Sequence, residues 1–151
     1  MNTIAMSATA QARRHAAFTA TLAALAGLMF GLDVGVISGA QQFIQREFAV
    51  SDAVIEHIVS SMTWGAAAGA ALAAWLSVHF GRKRSLVVSA SLFVLGSLAC
   101  AAAWSPDELI GARFVLGLAI GIAAFTAPLY LAEIAPRDKR GAMISTYQLM
   151  I

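Results

Sequence analysis

The chain has 151 residues, 60% of them hydrophobic and only 12% charged, with a formal net charge of +2. A soluble domain carries about 25% charged residues and leaves roughly a third of its extended-chain surface wet. So much apolar surface excludes a soluble enzyme, a nucleic-acid-binding domain and a disordered tail, and the single cysteine, Cys100, excludes an intrachain disulfide.

Residues 1–15 are small and polar and read as a disordered tail. Arg13 and Arg14 before an apolar run imitate a secretory signal, but the run is too long for one and contains Asp33. About 20 apolar residues cross a bilayer as a helix, and four stretches meet that length. The first is 16–40, interrupted by Asp33. The second is 52–80, apolar from Ile58, with Ser51 or Asp52 as its N-cap. The third is 85–104, and it carries no charge. The fourth is 108–134, whose apolar stretch contains Arg113. A fifth run, 141–151, reaches only about 16 Å. The expectation is an all-α membrane protein with four complete spans and the start of a fifth, an incomplete bundle such as a fragment would leave.

The expected connectors are 41–50, a tight basic turn at 81–84, a turn at 105–108 in which Pro106 suits the first helical turn, and 134–140, broken by Pro136. Arg13, Arg14, Arg82, Lys83, Arg84, Arg137, Lys139 and Arg140 fall on one side, against Arg46 on the other. That bias predicts a cytoplasmic N-terminus in a multi-pass membrane protein.

Glycines recur every four residues at 27, 31, 35 and 39, at 65 and 69 (continued by Ala73), and at 117 and 121. Such faces let backbones approach closely. The spacing argues for a tight bundle rather than isolated anchors.

The charges inside spans are the informative residues. An ionised Asp or Arg near the bilayer centre costs roughly 2.5–3.5 kcal/mol on insertion scales, so such groups face a protein interior or a water path. Counting from the outer ends of their spans, Asp33 lies about 10 Å deep and Arg113 about 9 Å deep, on antiparallel helices. An ion pair across the interface would lower both desolvation costs. One reading is a static buried pair. The other is a carboxylate that takes up and releases a proton as its Arg partner engages and disengages, because burial favours a neutral acid and a nearby cation favours the ionised one. Aligning the fourth span with the first also suggests an inverted repeat of the transporter kind. His15, His57 and His79 are scattered, so no catalytic or metal-binding set emerges.

Five stretches carry a resemblance: LAALAGLMFGLDVGVISG at 22–39, GRKRSL at 81–86, RFVLGLAIG at 113–121, APLYLAEIAPRDKRG at 127–141 and STYQLMI at 145–151. In order and spacing they resemble the sugar porter family of the major facilitator superfamily, and within it the bacterial galactose–proton symporters. The resemblance implies monosaccharide–proton symport by alternating access. The sugar would be galactose, glucose, arabinose or xylose, with a proton gradient in place of any cofactor and with the lipid bilayer, not nucleic acid, as surroundings. A facilitative sugar uniporter and a non-transporting membrane protein or pseudogene product remain as alternatives. By resemblance, Asp33 is the protonatable acid and Arg113 its partner. Gln148 would bond sugar hydroxyls, and Phe30 would pack on the sugar ring. Arg82, Arg84, Glu133 and Arg140 would form a cytoplasmic gate. Each has a plainer reading: a helix–helix hydrogen bond for Gln148, core or lipid contact for Phe30, topology signals for the basic loop. Glu133 and Arg140 could be a membrane-surface pair, since seven residues is close to two turns and would place both on one face. One departure stands out: Val78 occupies a position where the family usually has an acid or amide. The sugar site of this family lies between two halves, so this segment alone is not expected to transport.

Overall fold

The computed structural model describes residues 28, 31–33, 35–135 and 140–150. Among them every regular element is a helix: α1 (31–33 and 35–48), α2 (Asp52–His79), α3 (Arg82–Ala101), α4 (Pro106–Ile134) and α5 (Arg140–Met150). Three of these, α2, α3 and α4, are long and apolar enough to cross a membrane. The tail at 1–15 and most of the first expected span lie outside the described residues. The chain divides into two compact units, Leu32–Ala127 and Met1–Gly31 with Pro128–Ile151.

Within Leu32–Ala127 the helix ends depart from the hydropathy bounds, for local reasons. Helix α1 does not stop at 40 but continues to 48. Gln41, Gln42, Gln45, Arg46 and Glu47 are good helix formers, so the helix outlasts its apolar stretch. It closes at Ala49, which takes a left-handed φ of 47°. The Val50 N–H then reaches the Gln45 carbonyl at 3.3 Å, a Schellman closure normally given to glycine. The Gln45 side-chain amide also donates to Asp52, tying the end of α1 to the start of α2.

Ser51 takes the N-cap position of α2 in extended conformation, without a side-chain cap bond. The basic turn expected at 81–84 is shorter than its charges suggest. Gly81 alone makes it, at φ 79° and ψ 159°, a region open essentially to glycine. Arg82, Lys83 and Arg84 are therefore the first turn of α3. The turn before α4 is a variant of a capping box. The Glu108 N–H donates to Ser105 Oγ at 3.3 Å, and Glu108 Oε2 accepts from the Trp104 N–H at 2.8 Å. Pro106 is the first residue of the helix, where its missing N–H costs nothing.

The core of this unit is a seam between α2 and α4. A Cβ on Gly65 would collide with the Phe114 carbonyl and one on Gly69 with that of Leu118. A Cβ on Gly117 would collide with the Met62 carbonyl and one on Gly121 with that of Ala66. Main chain lies against main chain at four points, with Gly65 directly facing Gly117. Helix α3 packs on α4 differently: Gly96 faces the Leu116 side chain, and Ser89 Oγ donates to the Ala119 carbonyl at 2.7 Å.

In the second unit, Leu131 at the end of α4, Ala135 just beyond it and Tyr147 on α5 are buried. Helix α4 ends at Ile134 and α5 begins at Arg140. Glu133 and Arg140 thus stand on different helices, not two turns apart on one face. The two-turn arithmetic fails because the helix breaks between them. Both residues are exposed.

Candidate functional site

Arg113 is carried on α4, one turn from Gly117, and is 6% exposed. Its position follows from the seam. Because residue 117 has no side chain, the Met62 backbone comes against α4, and the Met62 thioether reaches the guanidinium. Arg113 Nη2 donates to Met62 Sδ at 3.2 Å. A thioether is a weak acceptor, so much of the cation's bonding capacity is left for other groups.

Asp33, on α1, supplies the opposite charge. Its Oδ2 lies 3.6 Å from Arg113 Nη2, with 19% of the Asp33 side chain exposed. A tight charged hydrogen bond would measure about 2.7–2.9 Å, so this is an ion pair in contact but not clamped. Among the described residues, neither Asp33 Oδ2 nor Arg113 Nε makes a hydrogen bond. A buried pair that serves only as structure gains from having every lone pair and proton satisfied. This one is only partly satisfied, and opening it would sacrifice little hydrogen bonding. Chemically, the arrangement can hold a carboxylate against a fixed cation and let the two separate if the acid is neutralised.

Gln148 is exposed on α5, and Phe30 lies outside the described residues. Arg82, in the first turn of α3, is half-buried and donates to the Ser77 carbonyl at 3.3 Å, beside the end of α2. Arg84 is exposed, as is Val78 where an acid or amide was looked for. Met62 was not foreseen, although it stands on the same α2 face as Gly65 and Gly69, three and seven residues before them. No three His, Cys, Asp or Glu side chains among the described residues gather as metal ligands.

Packed apolar helices with an acid–base pair between them are the build of a helical membrane protein, and comparison with known proteins narrows the class. Residues 19–151 match the family model described as sugar (and other) transporter, and the chain belongs to that family. It is 58% identical over 134 residues to a galactose-proton symporter of Escherichia coli, covering 89% of this chain and 29% of that protein. It is 55% identical over 139 residues to an arabinose-proton symporter of the same species, covering 92% and 29%. Among solved structures it is similar to the E. coli xylose transporter in an inward-open conformation, with a TM-score of 0.79 and 28% identity over 87% of this chain and 36% of that one. The chain therefore spans about 29% of the length of the curated relatives it matches.

Proposed function

We propose that this chain is the N-terminal segment of a monosaccharide–proton symporter that works by alternating access, with Asp33 as the proton carrier and Arg113 as its switchable partner. The observation that carries the reading is the buried, loosely held Asp33–Arg113 contact. A proton on Asp33 would abolish the attraction holding the guanidinium beside it. The Arg113 charge would then be free to find other partners as the helices rearrange. The names of the relatives favour galactose, arabinose or xylose as the sugar. In this reading Gln148 and Phe30 contribute to the sugar site, one amide for hydroxyls and one ring for an apolar sugar face. Arg82, Arg84, Glu133 and Arg140 belong to a cytoplasmic gate. The protein sits in a bacterial inner membrane, as the relatives suggest, with its N-terminus in the cytoplasm, which the lysine and arginine bias favours. Because the chain spans under a third of its relatives, transport belongs to a larger assembly than residues 1–151.

The test is sugar uptake by a transport-deficient host. A complete transporter carrying this segment should alkalinise the medium when sugar is added. Asp33→Asn should abolish uphill accumulation while leaving sugar exchange down its gradient. The 151-residue chain alone should give no saturable uptake. Uphill uptake that survives Asp33→Asn would defeat the reading, and sugar uptake without alkalinisation would make the protein a uniporter.

A further inference from the structure

A groove of about 570 Å³ opens on the outer surface of Leu32–Ala127, where the end of α2 meets the start of α3. Trp75 and Phe80 form one wall, and Lys83, Arg84, Val87 and Val88 line the other. The aromatic wall is held in place. The Trp75 ring stacks on His79 with centroids 4.7 Å apart and meets Phe80 edge-on at 5.9 Å. The groove is open to its surroundings: Trp75 is 54% exposed and Val87 60%.

Its chemistry is graded along its length. Lys83 and Arg84 are exposed in the first turn of α3, and Val87 and Val88 follow one turn later. Residues four apart share a helix face, so each cation stands directly above an apolar side chain. Lys83 and Arg84 both stand in the first turn of α3, and that turn has no acidic residue. The backbone N–H groups at a helix start carry partial positive charge of the same sign. Cations and helix terminus repel one another there unless an anion lies between them. An anion attached to an apolar tail satisfies both ends of the groove at once.

We propose that this groove binds an anionic phospholipid, its phosphate on Lys83 and Arg84 and its acyl chain over Val87 and Val88 against Trp75. Basic pockets beside membrane helices recognise such headgroups, and each basic residue near the surface contributes roughly fivefold in affinity. The site is separate from Asp33 and Arg113; it shares Arg84 with the proposed gate, and the binding test below reads lipid rather than transport.

Trp75 is itself the reporter. The chain has three tryptophans. Trp64 and Trp104 are 72% and 89% exposed, so both can become Phe without disturbing packing. The 151-residue chain carrying W64F and W104F, in dodecyl maltoside micelles, is titrated with brominated phosphatidylglycerol or brominated phosphatidylcholine. Trp75 emission should be half quenched at about 25-fold lower mole fraction of the glycerol lipid. Lys83→Gln with Arg84→Gln should erase that preference, and Arg46→Gln, remote from the groove in sequence, should keep it. Equal quenching by the two lipids overturns the proposal, as does a preference that survives the double variant or is lost in Arg46→Gln. Reversal of quenching by equimolar inorganic phosphate would mark a soluble-anion site and overturns it too.

Discussion

One spacing serves two regions differently. Gly35 and Gly39 on α1 repeat at the same interval as Gly65 and Gly69 on α2 and Gly117 and Gly121 on α4. On α2 and α4, an added Cβ at any of the four would strike a carbonyl of the facing helix. On α1, among the described residues, an added Cβ at Gly35 or Gly39 meets nothing within 4 Å. The four-residue interval shows that glycines share a face. It does not show whether another backbone occupies that face. The difference lies in the partner: α2 and α4 present complementary ladders, each placing its glycines against the other's carbonyls.

Substitutions can probe that contrast. The largest effect belongs to the seam. Gly117→Ala with Gly121→Ala should destabilise the helix pair by about 1–3 kcal/mol per site, the usual cost of overpacking. A shifted midpoint in a dodecyl sulfate unfolding titration would measure it. Gly35→Ala should go the other way, gaining about 0.5–1 kcal/mol, because alanine is the better helix former where there is room. A loss as large as that at the seam would show that the α1 face is covered after all. The smallest change is expected at the other junction of α4. Ser89→Ala removes the bond to the Ala119 carbonyl and should cost about 0.6 kcal/mol, the average for such bonds between membrane helices. A loss of several kcal/mol there would mean that α3, rather than the glycine seam, is the main support of α4.

The residues differed in how much they disclosed. Among the described residues, the three long apolar helices followed from apolar length, since a bilayer sets the length a span needs. Helix ends did not, because hydropathy marks where water begins and not where hydrogen bonding stops. Gln41 to Phe48 remain helical past the apolar stretch, and Arg82 to Arg84 are wound into α3 by Gly81. The nearness of Asp33 and Arg113 was readable by counting, because antiparallel helices of fixed rise bring equal depths together. Met62 was hidden because nothing in a thioether announces a cation partner. Glu133 and Arg140 misled, since seven residues make two turns only if the helix is unbroken.

The interlock of α2 and α4 also limits how this part of the molecule can move. Two rods whose backbones touch at four points cannot slide past each other freely. A shift of four residues, about 6 Å, would bring Ala73 or Phe125 where a glycine now meets a carbonyl. The pair therefore travels as a single rigid strut. Gradual motion during a working cycle must be accommodated at other joints of the protein.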